Sequence, residues 1–153
     1  MPINPALAHL EALVGHWRME LYRAAFLPEP ETRLTGSIDI EWIAEGAALL
    51  MRQGDAAQPP AATWIVGRDA AEPSCSVLYA DDRGVSRIYA MSFENGHWRM
   101  WRDTPEFSQR FHAELDDDGQ AIRGRWEKSS GGAVWEHDFN VDYIRQSSLD
   151  PNQ

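Results

Sequence analysis

Hydrophobic positions recur along this chain with two different periods. In the first stretch, Pro2 to Val14, residues Leu7, Leu10, Leu13 and Val14 fall on one face at helical spacing. Asn4 is placed to cap that helix, and Pro5 suits a first helical position, where the missing N–H has no partner to lose. The helix is short, and Gly15 is its expected stop. Beyond it the period drops to two. Trp17, Met19 and Leu21 alternate with polar neighbours, as do Leu34, Ile38, Ile40 and Trp42 with Gly36 in register. Near the end Trp135, Phe139, Val141 and Tyr143 alternate with Glu136, Asp138, Asn140 and Asp142. Such alternation marks strands with one buried face.

Turn chemistry punctuates these runs. Gly54 to Pro60 and Asp69 to Pro73 read as loops, Asp82-Arg83-Gly84 and Asn95-Gly96 as tight hairpin turns, and Asp103-Thr104-Pro105, Asp117-Asp118-Gly119 and Gly131-Gly132 as further breaks. The intervals predict about ten strands, near residues 15–24, 33–43, 46–53, 61–68, 74–81, 84–93, 96–103, 107–116, 120–129 and 133–144. Short turns between sequence neighbours favour an antiparallel meander, and a meander of this size removes its raw edges by closing on itself. The expected fold is therefore all-β: a single antiparallel meander barrel with a short N-terminal helix plugging or flanking one end. Residues 1–146 form that one domain, and the polar tail 147–153 is expected to be flexible.

Composition narrows the function classes. The chain has 153 residues and a net charge of −10, which disfavours nucleic acid and anionic membrane surfaces as partners. No apolar run is long enough to span a bilayer, and the N-terminus lacks the layout of a secretory signal, so a cytoplasmic location is expected. Cys75 is the single cysteine, which excludes an intramolecular disulfide and a cysteine-based metal cage. No adjacent basic residue activates it, so it reads as a buried thiol. The seven tryptophans imply broad flat walls, either a packed aromatic core or a ligand cavity.

Gly15-His16-Trp17 opens the first strand and Tyr143-Ile144-Arg145 ends the last. In a closed meander those strands are neighbours, and an arginine there can lie over the tryptophan face. This arrangement resembles the calycin superfamily of lipocalins, fatty-acid-binding proteins and avidins, whose shared mark is Gly-x-Trp on the first strand with a basic residue late in the chain; Gly15, Trp17 and Arg145 occupy those positions. The resemblance spans residues 5–145. Within the superfamily the chain looks most like small bacterial lipocalin-like barrel proteins, with Leu13-Val14-Gly15-His16-Trp17 leading and the segment from Trp135 to Arg145 closing. That likeness implies a fold and no particular activity. The outline is also similar to the nitrobindins, which hold haem through a histidine near the C-terminus. His137 is the candidate at a comparable place, although Arg18, Met19, Glu20 and Leu21 depart from the glycine-rich pattern after the tryptophan.

A barrel of about ten strands encloses a lumen. The expected role is binding of a small hydrophobic or amphipathic molecule there, without a cofactor, haem being the alternative. The candidate lumen residues are Arg87, Tyr89, Gln109, Phe111, Trp126 and His137. An inward Arg87 would need an anion, which a ligand carboxylate supplies; in the other register Arg87 faces solvent. His137 shares a period-two face with Trp135, Phe139 and Val141 and so is expected to point inward. Two pairs, His112 with Glu114 and Glu136 with Asp138, could bind a metal or shuttle a proton, but such pairs more often form a solvated strand face, and no metal site is assigned. No motif for nucleotide binding, hydrolase chemistry or metalloprotease zinc occurs, which leaves an isomerase- or hydro-lyase-type enzyme and an interaction module with a filled core as further readings. Trp98 and Trp101, three apart, must face opposite sides of the sheet; the outward one, among Arg99 and Arg102, would suit a homodimer interface.

Overall fold

A computed structural model describes residues 3–29, 31–54 and 61–147. Ten antiparallel strands close into one barrel: β1 (Gly15–Tyr22), β2 (Leu34–Ile43), β3 (Ala48–Gly54), β4 (Ala62–Gly67), β5 (Cys75–Asp81), β6 (Ser86–Glu94), β7 (His97–Arg102), β8 (Ser108–Leu115), β9 (Ala121–Ser129) and β10 (Glu136–Gln146). Each strand pairs with its sequence neighbours, and β1 pairs with β10 to complete the ring. Most of the Gly54–Pro60 loop and residues 148–153 of the tail lie outside the described residues. Among the described residues no helix is long and apolar enough to cross a membrane.

The N-terminal element is a 3-10 helix, Ala8–Leu13, and not the α-helix the spacing suggested. The reason is legible in the same residues. Leu7, Leu10 and Leu13 stand three apart, so a three-residue turn places them on a single line, and all three are fully buried. Asn4 still orders the start, its Oδ1 accepting from the Ala6 amide at 3.0 Å, and the Asn4 amide donates to the Gly46 carbonyl at 2.8 Å. The leucine line plugs one end of the barrel.

That end is locked by the closing strands. Trp17 and Arg145 are register partners across β1 and β10. The Trp17 indole N–H donates to the Leu13 carbonyl at 2.9 Å, tying the plug to the wall. Gly15 sits at φ +143°, where a side chain is rarely tolerated, and a Cβ there would lie 2.6 Å from the Arg145 guanidinium. Glycine is required by both conformation and space. At the β6–β7 hairpin, Asn95 and Gly96 both adopt positive φ, as a type I′ turn demands, and this fixes the register of the outer face there.

Inward residues form one continuous core from the plug upward, including Ile38, Leu49, Met51, Val66, Val77, Met91, Met100, Phe111 and Ile122. Trp98 is buried within it, while Trp101 is only half-buried on the outer face, as their separation requires.

Candidate functional site

The lumen is solid near the plug and open toward the opposite end. There a cavity of about 510 Å³ is lined by Met19, Leu21, Trp64, Tyr89, Trp126 and Val141 among others, with Arg83, Arg87, Gln53, Gln109 and Asp138 as its polar groups. The reading of a completely filled core is therefore not what the interior shows.

An aromatic cluster forms the cavity floor and wall. The Trp64 ring lies 4.5 Å from Tyr79 and 5.7 Å from Tyr89, Tyr89 lies 5.6 Å from Trp126, and Trp126 lies 5.0 Å from Phe111, all centroid to centroid. Alternation on β4, β5, β6, β8 and β9 produces this convergence, because each of these strands turns its aromatic residue inward. Phe111 itself is buried beneath Trp126 and does not line the cavity.

Polar groups in this wall are held by specific bonds. The Tyr89 hydroxyl donates to Gln109 Oε1 at 2.7 Å in a buried setting. Burial raises the Tyr89 phenol above its ordinary value, so it stays protonated at neutral pH. Tyr79 donates to Asp81 Oδ2 at 2.6 Å, and Asp81 also accepts from Arg83 Nη2 at 2.7 Å. The indole N–H of Trp64 is buried and has no acceptor among the described residues. A buried unpaired donor in a cavity wall costs stability until something accepts from it.

Arg87 does face inward. Its guanidinium lies 5.1 Å from the Phe107 ring centroid at the cavity mouth, and among the described residues no carboxylate stands within ion-pair distance of it. Arg83, by contrast, is already bonded to Asp81. Among the described residues Arg87 thus has no bonded carboxylate; Asp138, in the same chamber, attracts it from beyond ion-pair distance.

His137 corrects the period-two reading. Residues 136 and 137 pair with Lys128 and Glu127, but Phe139 pairs with Trp126, so Asp138 is an extra residue in a β-bulge. The bulge puts Asp138 and Phe139 both on the cavity and turns His137 to the outside, where it is exposed and its Nε2 lies 3.2 Å from the Arg23 carbonyl oxygen. Trp135 is displaced with it: its ring sits outside, under the Arg110 guanidinium at 4.1 Å. No sequence feature marks the bulge, since the apolar alternation runs unbroken through it. Asp138, which the sequence reading placed on a solvated face, is buried, 3.8 Å from Lys128 Nζ, and desolvation raises its carboxyl above the usual range.

The same geometry bears on the histidine expected to hold haem. All five histidines are described, and none lines the lumen: His9 is exposed on the plug, and His16, His97, His112 and His137 lie on the outer face. A haem in the chamber would find no imidazole there, and His137, the histidine expected to hold it, points away from the lumen.

On the outside, the face beside the bulge holds a second depression of about 460 Å³, lined by Tyr22, Arg123, Arg125, His112, Glu114 and His137 among others. Tyr22 donates to Asp142 at 3.1 Å, and Arg123 pairs with the other oxygen of the same carboxylate at 3.1 Å.

No family profile matches this chain, and no curated protein matches it. Among solved structures it is similar to the crystal structure of Rv2717c from M. tuberculosis, with a TM-score of 0.70 over 95% of this chain and all of that one, at 13% sequence identity. At that identity the likeness concerns the fold alone: the chain is a closed ten-stranded antiparallel β-barrel of an architecture consistent with calycin-like barrels.

Proposed function

We propose that this calycin-like barrel is a non-covalent carrier of a small amphipathic molecule bearing an acidic head group. The observation that carries the reading is the pairing of an apolar aromatic chamber of about 510 Å³ with an inward Arg87 that has no bonded carboxylate among the described residues. A chamber of that size is ordinary for a small-molecule site, and such sites are mostly apolar with few polar anchors. The tail packs against Trp64, Trp126 and Met19. The head group meets Arg87 through charge-assisted hydrogen bonds, which are stronger than neutral ones. Asp138 shares the chamber and disfavours a second negative charge, so the ligand carries one acidic group and not several.

Native mass spectrometry of the protein purified from its own host tests this reading. The expected spectrum shows a stoichiometric adduct that is acidic and released by organic solvent. Bare protein, together with no thermal shift across a panel of fatty acids and other amphiphilic acids, overturns it.

A further inference from the structure

His97, His112 and Glu114 converge on the outer face of β7 and β8, away from the chamber. The Asn95-Gly96 turn and the ladder beyond it set His97 opposite Glu114 and Arg99 opposite His112. Because Trp98, Met100, Phe111 and Ala113 point inward, their alternating neighbours His97, His112 and Glu114 point outward on adjacent strands. His97 Nδ1 lies 3.3 Å from His112 Nε2 and 3.7 Å from Glu114 Oε1, and one donor atom of each side chain lies within 4.8 Å of the others.

We propose that His97, His112 and Glu114 form a binding site for one divalent transition-metal ion of the zinc type. Two imidazoles and a carboxylate suit such an ion better than magnesium or calcium, which prefer all-oxygen shells. In a tetrahedral zinc site with bonds of about 2.0–2.1 Å, ligand atoms stand roughly 3.3–3.4 Å apart. The histidine nitrogens already have that separation, and Glu114, mostly exposed, stands 3.7 Å from His97 and within 4.8 Å of His112, so rotation of its side chain completes the approach. The two rings now share a nitrogen–nitrogen contact. A metal replaces it once both rings turn their lone pairs toward a common point, with a tautomer change at one imidazole and no net proton gained.

The fourth position faces the outer depression, where Arg123 and Arg125 stand. Those arginines oppose a bare cation, and they also favour an anion or hydroxide as its fourth ligand. The site is consequently open, like a catalytic zinc position, and not the closed four-ligand type.

The test uses the full chain stripped of metal, with Zn²⁺ and Co²⁺ themselves as probes. Titration against a chromogenic chelator is expected to show one equivalent of Zn²⁺ bound. Co²⁺ is expected to develop the intense visible bands of a four-coordinate site. His97→Gln and His112→Gln, both at a solvent-facing site, should each abolish the stoichiometric binding, and Glu114→Gln should weaken it. His16→Gln, which removes the exposed histidine beside Asp39 on a different part of the wall, should leave it intact. Substoichiometric binding, a weak six-coordinate cobalt spectrum, or equal loss in the His16 variant would overturn the proposal. Circular dichroism of each variant separates loss of the site from loss of the fold.

Discussion

The Arg145 guanidinium lies 4.2 Å over the Trp17 ring, and its three nitrogens donate to the backbone carbonyls of Gly119, Val14 and Ala12 at 2.7–2.9 Å. One side chain thus joins β10, the end of the plug and the β8–β9 turn. Trp17→Ala is expected to cost about 3–5 kcal/mol, as for other large aromatic truncations in cores. Arg145→Ala is expected to cost about 1.5–3 kcal/mol, the range for hydrogen bonds to charged groups. Urea melts of both variants and of the double variant check this. The double should lose less than the sum, because the partners are in contact.

Gly124 sits opposite Ala113 on β9, and a Cβ there would stand 2.6 Å from the Ala113 Cβ and 2.9 Å from the Phe111 ring. Gly124→Ala should therefore destabilise by about 1–3 kcal/mol through overpacking, despite the usual gain from removing a strand glycine. The compensating variant Ala113→Gly, combined with it, is expected to recover part of the loss in the same melts.

Two carboxyls give the stability a pH dependence of opposite signs. Arg83, and then Tyr79 and nearby amides, hold the Asp81 carboxyl far below its ordinary value. Its contribution is full above the unfolded pKa of about 3.9 and is lost as pH falls below that value toward the folded pKa. Asp138 is raised by desolvation, against Lys128. Between its raised folded value and about 3.9, the native state binds a proton that the unfolded chain does not, so acidification through that window stabilises the fold. In pH-dependent melts Asp81→Asn should flatten the loss below about pH 4, and Asp138→Asn should remove the gain above it.

Asp138 also tunes the chamber. Asp138→Asn removes a negative charge beside the proposed head-group site, so it should tighten binding of an anionic amphiphile near neutral pH and leave a neutral analogue unaffected. Wild-type affinity for the same anion should rise as pH falls toward the raised Asp138 value. Isothermal titration at two pH values reads both effects.

Much of this molecule is legible in its sequence. All ten strands lie where turn residues and alternation placed them, and the closure partners Trp17 and Arg145 were identifiable because a closed meander must bring its ends together. Arg87 was not decidable, since Ile88 and Ala90 alternate with it almost as well; Ile88 proves to be 62% exposed, so the apolar residue is the outward one. His137 and Trp135 were misplaced because a bulge changes parity without changing the apolar pattern. The His97 contribution to the outer cluster was missed for another reason. Its approach to His112 depends on cross-strand register, which the hairpin turn sets but spacing along one strand cannot show. Asn95-Gly96 was the available signal.

The most direct test of the account is an equilibrium titration of the chamber with decanoate, followed by tryptophan fluorescence, in the wild type and in Arg87→Met. Saturable one-to-one binding to the wild type is expected, with quenching from Trp64 and Trp126. Arg87→Met should lose roughly tenfold to a hundredfold in affinity, the equivalent of a charge-assisted hydrogen bond, while decanol binds both proteins alike. No saturable signal in the wild type, or equal affinity of decanoate for both proteins, would contradict it.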